Sequence, residues 1–286
     1  MPTISLCMIV KDEEKILERH LKHIKDHVDE IIIVDTGSKD KTVEIAKKYT
    51  NKVYHFKWCD DFSKARNFSL SKATKDWVLD ADEFIEKPKK LKGVIAKHNA
   101  DIYNFKQHIC NINYKRMDDK KYLQNKLKKA LVNDPSRLFR RSLGIFYEGI
   151  VHERATIKKG KTPITFKMNI RSLHLRDIHK VNSDWKYYYR LCEKEINKGN
   201  LDCNLIYNLL AYCVWDKDYR SFSKFFQKVP RFKIDKGMYP FMINLVRTLN
   251  KQKRKKEAKK LADVLYKNVP DKVHADVLRA ILKEKK

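Results

Sequence analysis

Glu30-Ile31-Ile32-Ile33-Val34-Asp35-Thr36-Gly37-Ser38 is the stretch that decides the fold. Four consecutive β-branched apolar residues leave no polar face, so the run reads as a strand buried on both sides, as in a parallel sheet. It ends on a carboxylate, and Gly37 can take positive φ in the turn that follows. Upstream, Ile4-Ser5-Leu6-Cys7-Met8-Ile9-Val10 is a second run of the same kind. Between the two, Asp12, Glu13 and Glu14 open a helix whose apolar face is Leu17, Leu21, Ile24 and Val28, and an acidic first turn suits the helix dipole. Downstream, Asp40 is expected to cap a helix over residues 41–49. Val53-Tyr54-His55-Phe56 reads as a third strand, residues 62–73 as a helix, and Trp77-Val78-Leu79 as a fourth strand ending on Asp80. The order is β-α-β-α-β-α-β, with strands too far apart for hairpins. Right-handed crossovers then give an α/β, doubly wound, mostly parallel sheet. Such sheets bind ligands at the carboxyl ends of their strands. The residues to watch are therefore Lys11 to Glu13, Asp35 to Ser38, and Asp80 to Glu83.

Beyond this core the pattern weakens. Strands are expected at Ile102-Tyr103-Asn104-Phe105, Arg137-Leu138-Phe139-Arg140 and Phe166-Lys167-Met168-Asn169-Ile170, and a basic loop over residues 115–129. From Asp184 onward the apolar spacing is helical: Trp185, Tyr188, Cys192 and Ile196 share a face, as do Leu205, Leu209 and Tyr212, then Phe241, Leu245 and Leu249. Helix pairs joined by short turns suggest a degenerate, repeat-like α-helical C-terminal region. The expected division is a domain over residues 1–180, in halves 1–86 and 87–180, and a helical tail over 181–286.

The chain has 286 residues, 64 Lys+Arg, 36 Asp+Glu and a net charge of +28. A hydrophobic share of 42% supports a packed core and excludes a disordered basic tail. The charge is unevenly placed: residues 1–86 carry 15 basic and 17 acidic residues, a net of −2, and residues 87–286 carry a net of +30. An anionic partner is one reading and a solvated lysine-rich surface the other. The run Lys251-Gln252-Lys253-Arg254-Lys255-Lys256 continues into Ala258, Leu261 and Ala262, the pattern of a solvated helix face, and no RNA or DNA motif accompanies it. No specific nucleic-acid partner is expected. The six cysteines form no C-x-x-C pair and no zinc spacing, which fits free thiols in a reducing compartment. With no membrane-spanning run and no signal-peptide pattern, the expected location is cytoplasmic, with room for a peripheral membrane contact through the basic region.

Asp80-Ala81-Asp82-Glu83 is the sharpest chemical motif. Two carboxylates two residues apart at a strand end point the same way. They can hold a hard divalent cation through oxygen, and the cation can bridge a diphosphate. In context the motif carries a resemblance. Met8-Ile9-Val10-Lys11-Asp12-Glu13-Glu14, the segment Ile31 to Thr42, Phe62-Ser63-Lys64-Ala65-Arg66-Asn67 and Trp77 to Glu83 resemble, in order and spacing, family 2 glycosyltransferases of the GT-A fold. Arg137-Leu138-Phe139-Arg140, Tyr147-Glu148-Gly149-Ile150-Val151-His152-Glu153 and Leu173-His174 are similar to a bacterial branch of that family. The branch contains lipopolysaccharide-core glucosyltransferases and bacteriocin S-glycosyltransferases with tetratricopeptide-like tails.

The resemblance implies a metal-dependent inverting glycosyltransferase using a nucleotide-sugar donor, a UDP-sugar first, and a protein, peptide or saccharide acceptor. It implies Mn2+ or Mg2+ as cofactor and leaves homo-oligomerisation open. By position, Val10, Lys11, Glu13 and Asp35 would line the donor pocket, Asp80 would contact the ribose, and Asp82 and His174 would hold the metal. Arg66 would meet the diphosphate, or else serve as a structural ion pair. Inverting transfer needs a carboxylate base; Glu153 is the candidate and Glu148 the weaker one. Two departures stand out. Asp12 occupies the place of the family's usual Asn, and the fourth strand reaches Asp80 about two residues early, a shift of about 7 Å along the strand. The competing expectation is a basic nucleic-acid- or protein-binding scaffold on an inactive glycosyltransferase fold.

Overall fold

The computed structural model describes residues 1–80, 83–157, 162–227, 238–267 and 272–283; the side chains of Asp80, Asn182 and residues 272–275 and 282–283 are not among those described. The chain divides into two compact units, Met1–Asn182 and Ser183–Lys286.

In the first unit, β1 (Ile4–Val10), β2 (Glu30–Asp35), β3 (Val53–His55) and β4 (Trp77–Asp80) are parallel. They alternate with α1 (Leu17–Ile24), α2 (Thr42–Lys47) and α3 (Phe62–Ser71). After these come β5 (Phe84–Ile85), α4 (Leu91–Lys97), β6 (Ile102–Ile112), α5 (Lys120–Lys128), β7 (Leu131–Asn133) and β8 (Ser136–Arg140). The unit closes with β9 (Ile145–Glu148), β10 (Arg154–Ile157) and β11 (Thr165–Asp177). One sheet runs β3-β2-β1-β4-β8-β6-β11-β5, with β7 added to β6. β8, β7 and β5 enter antiparallel, so the run β3-β2-β1-β4 is wholly parallel and the far half is mixed, with β6 and β11 parallel to each other. β9 and β10 form a separate antiparallel ribbon.

The all-apolar strands are buried on both faces, as the sequence predicts. Leu6, Met8, Ile31, Ile33 and Leu79 join Leu17, Leu21 and Ile24 of α1 in one core. Cys7, Ile32, Val34 and Val78 face the opposite way, with Phe68 and Leu70 of α3 packed against them. Alternation along each strand thus feeds two layers of helix.

Several expectations need correction. The predicted basic loop over 115–129 contains α5. Asp119 accepts a hydrogen bond from Tyr122 N at 2.8 Å and caps it, while Tyr122, Leu123 and Leu127 pack on Cys110, Ile112 and Met117. The strands expected at 102–105 and 166–170 are longer, because β6 and β11 continue as neighbours along most of their length. α2 starts after Lys41, yet Asp40 still accepts from Thr42 N at 2.9 Å.

The second unit is helical: α6 (Val181–Asn197, which starts in the first unit), α7 (Cys203–Trp215), α8 (Tyr219–Phe226), α9 (Tyr239–Lys251), α10 (Lys255–Lys267) and α11 (Lys272–Lys283). α7 buries residues around its whole circumference and is the central helix. It packs on α8 and α9, and α9 packs on α10 and α11. Lys251, Lys253, Lys255, Lys256, Lys259 and Lys260 are exposed, so the basic run is a solvated face. No described helix is long and apolar enough to cross a membrane. The six cysteines are free thiols, and only Cys59 is exposed.

Candidate donor and metal site

The carboxyl ends of β1 and β2 meet in register, Val10 beside Asp35. The loops that leave them are clasped together. Thr36 donates to the Val10 carbonyl from both its amide, at 3.0 Å, and its hydroxyl, at 3.1 Å. Asp12, at φ 52°, donates its amide to Ser38 Oγ at 2.9 Å and accepts from Lys39 N at 2.7 Å. Glu13 N donates to Thr42 Oγ1 at 2.7 Å, and Glu14 N to Asp40 Oδ2 at 3.1 Å. Lys180 Nζ reaches back to the Asp12 carbonyl and to Glu13 Oε1, the latter at 3.3 Å. Lys11 is exposed at the rim.

Asp35 is buried at 5% exposure. Its carboxylate accepts from Gly37 N at 3.1 Å and Ser38 N at 3.1 Å, and His55 Nδ1 lies 3.3 Å away. Burial alone would push its carboxyl up. The Ser38 hydroxyl and amide, the Gly37 amide and His55 outweigh it and hold the group below the usual carboxylate range. Gly37 makes this possible with φ 105°, where a Cβ would be strained.

β4 stands on the other side of β1 and brings Asp80 level with Cys7. That is three residues short of the Val10–Asp35 pair, about 10 Å at about 3.3 Å per residue. Asp82 lies outside the described residues, as does the side chain of Asp80. Glu83 comes next and is 0% exposed. Its Oε1 accepts from Arg137 Nε of β8 at 2.9 Å and from Gln107 Nε2 of β6, and it lies 3.9 Å from His174 Nδ1 of β11. Among the described residues no group of three or more His, Cys, Asp or Glu side chains is gathered closely enough to hold a metal.

Arg66 and Glu153, singled out separately in the sequence, are partners. Arg66 Nε donates to Glu153 Oε1, with only 10% and 12% of the side chains exposed. The guanidinium also lies 5.5 Å from the centroid of the Tyr147 ring. Gly149 at φ 100° and His152 at φ 52° make the tight turn that delivers Glu153. Glu148 is exposed at the end of β9, with Thr156 Oγ1 at 3.4 Å.

Lys180, Arg137 and Gln107 carry no local signal of a role, because their partners lie far along the chain. Glu83 was legible only as part of an acidic run. The one signal of its burial was the apolar Phe84-Ile85 that follows.

The profile described as Glycosyl transferase family 2 matches residues 5–159. A TPR repeat-containing protein of Synechococcus elongatus is 54% identical over 85 residues, which cover 29% of this chain and 21% of that protein. The SPbeta prophage-derived glycosyltransferase SunS of Bacillus subtilis is 32% identical over 177 residues, covering 60% of this chain and 39% of SunS. This chain therefore spans well under half the length of these two relatives. The crystal structure of S. aureus TarS 1-349 aligns over 98% of this chain and 90% of that one, at 14% identity and a TM-score of 0.38.

Proposed function

The chain belongs to glycosyl transferase family 2, and from that premise we propose that it transfers a sugar, with inversion, from a UDP-sugar or another nucleoside-diphosphate sugar to a protein, peptide or saccharide acceptor. The observation that carries this reading is the placement of two aspartates at the carboxyl ends of strands in the matched segment: Asp35 ends β2 and Asp80 ends β4, the two strands that flank β1.

In this reading the nucleoside enters between the clasped loops, with Val10, Lys11, Glu13 and Asp35 around it and Asp80 at the ribose. Asp82 and His174 would hold Mn2+ or Mg2+. A carboxylate and an imidazole are oxygen and nitrogen donors of the kind such an ion accepts, and His174 is on β11, the neighbour of the β5 strand that follows Asp82 in the chain. When bound, the cation stabilises the charge that develops on a leaving diphosphate. Glu153 takes the acceptor proton. The Arg66 guanidinium orients that carboxylate, and a thiol acceptor, already partly ionised near neutral pH, would need only a weak base. The basic residues after position 86 suit an anionic acceptor or an anionic membrane surface nearby.

A thermal-shift screen of nucleotide-sugars with and without Mn2+ tests the reading. A UDP-sugar plus Mn2+ should raise the Tm of the wild-type chain, since a ligand of the native state stabilises it. Asp82→Ala should keep the ligand-free Tm and lose sugar transfer. If no donor shifts the Tm and Asp82→Ala behaves as wild type, the reading falls and the inactive-scaffold alternative stands.

A further inference from the structure

We propose that α5 and β7 dock one end of the sheet on an anionic lipid bilayer, with the lysines around α5 at the headgroups and Leu131 and Val132 in the apolar boundary beneath them. This narrows the basic region to one surface and one partner. Its use, to bring the site to a membrane-borne acceptor, rests on the transfer reading above.

α5 contains no acidic residue. One side of it is committed to the protein: Tyr122, Leu123 and Leu127 pack on Cys110, Ile112 and Met117, and Asn113 N donates to the Tyr122 hydroxyl at 2.9 Å. The rest of its surface presents Lys120, Lys121 and Lys128, with Lys129 next in the chain, and all four are exposed. The carboxylates nearby are already taken, Asp118 by Arg19 at 2.8 Å and Asp119 by Arg116 at 2.7 Å. None of the four lysines has a carboxylate partner among the described residues. The chain then runs into Leu131 and Val132, which are 74% and 52% exposed. Either feature alone is ordinary on a protein surface. Together they match a bilayer boundary, where lysines meet anionic headgroups and aliphatic side chains sink below them. Single-stranded nucleic acid fits less well, since it is held by aromatic stacking. Over residues 115–133 no aromatic ring is exposed, and the Tyr122 ring is covered by Arg116 at 4.1 Å.

The sheet places this surface at the functional end of the unit. β4 and β6 are both antiparallel to β8, so they run the same way. β7 pairs with the later half of β6: Leu131 with Ile109, Val132 with His108 and Asn133 with Gln107. Leu138 of β8 is the partner of both Leu79 and Tyr103, and Leu79 is in turn the partner of Leu6. Gln107 is four residues beyond Tyr103, as Val10 is four beyond Leu6, which brings β7 about level with the Val10–Asp35 pair. A bilayer under α5 and β7 therefore lies toward the strand ends that carry the proposed donor pocket.

Co-sedimentation of the full chain with vesicles, without any sugar donor, tests this. The wild type should bind an equal mixture of phosphatidylglycerol and phosphatidylcholine, bind pure phosphatidylcholine far less, and come off the mixed vesicles in ~0.5 M NaCl. Replacing Lys120, Lys121, Lys128 and Lys129 together by Gln should weaken binding about 10–100-fold. Leu131→Ser with Val132→Thr keeps every charge and should weaken it about 10-fold. All six positions are exposed, so both variants should keep the wild-type Tm. Replacing Lys255, Lys256, Lys259 and Lys260 of α10 by Gln removes as much charge from the helical unit and should leave vesicle binding at the wild-type value. The inference is overturned if the wild type ignores the mixed vesicles, if the α10 variant loses as much binding as the α5 variant, or if the Leu131→Ser, Val132→Thr protein binds as tightly as wild type. A wild type that binds single-stranded RNA and not the vesicles overturns it too, and returns the surface to nucleic acid. The donor thermal-shift screen is separate from all of these outcomes, so the transfer reading can stand when this inference falls.

Discussion

At the scale of single residues, the loops after β1 and β2 turn on two aspartates. Asp12 sits at φ 52°, a region that Asp and Asn reach more readily than most residues. What the loop uses is its acceptor oxygen, on Lys39 N. An Asn supplies the same acceptor, so the departure from the family pattern keeps the clasp. Asp35 is more demanding, since both of its oxygens accept from the 37–38 turn. Asp35→Asn leaves one oxygen acceptor and places an amide donor against those N–H groups. Hydrogen bonds to charged groups are worth about 1.5–3 kcal/mol, so UDP affinity by calorimetry should fall about 10–100-fold. An Asp35→Asn variant that binds UDP as tightly as wild type would remove Asp35 from the donor pocket. Asp35 was legible because an apolar run that stops on a carboxylate marks a strand end. Glu83 was not, because a carboxylate beside two aspartates reads as solvated until its partners on β6 and β8 are known.

At the scale of elements, α3 is stapled to the segment running from β9 to Glu153. Asn67 Nδ2 donates to the Tyr147 carbonyl at 2.9 Å, and Tyr147 N donates to Asn67 Oδ1 at 2.7 Å. Phe62 N donates to the Ile150 carbonyl at 2.9 Å, and Arg66 holds Glu153. The helix itself begins on Asp61, whose carboxylate accepts from Lys64 N at 3.1 Å. The helix was readable from its own residues, but its partner strand was not, because the pairing spans 80 positions. α5 was missed for a related reason: its lysines dominate the local composition, and its apolar face is visible only against Cys110 and Ile112. Asn67→Ala breaks both bonds to Tyr147 and leaves backbone groups short of partners, at a cost of about 1–3 kcal/mol. Urea unfolding should show that loss as a lower midpoint with an unchanged slope. Transfer should drop with it, because Glu153 is delivered by the same segment. Full transfer activity in folded Asn67→Ala would mean that the staple serves stability alone.

At the scale of the molecule, stability and charge are linked through the end of the sheet opposite the site. Glu30 is buried there and ties four segments together, accepting from Ser5 Oγ, Lys52 Nζ, Thr74 N at 2.9 Å and Thr74 Oγ1 at 2.9 Å. Burial by itself would raise its carboxyl, but Lys52, Ser5 and Thr74 pull it down from 4.5 to about 2. A carboxyl lowered on folding adds stability that is fully present above its unfolded value and is lost as pH falls toward its folded one. The window is therefore pH 4.5 down to about 2, and at about 1.4 kcal/mol per pKa unit the contribution at neutral pH is about 3 kcal/mol. The chain is ill placed to lose it. As its 36 acidic residues protonate, 64 Lys and Arg remain charged, and self-repulsion grows in the same interval. Glu30→Gln should thus be less stable than wild type by about 3 kcal/mol at pH 7. The gap should narrow steadily below pH 4.5 and nearly vanish by about pH 2, where the wild-type carboxyl is itself becoming neutral. Urea unfolding of both proteins at pH 7, 5 and 3 measures that gap, and a difference as large at pH 3 as at pH 7 would assign the loss to packing around residue 30 rather than to its charge.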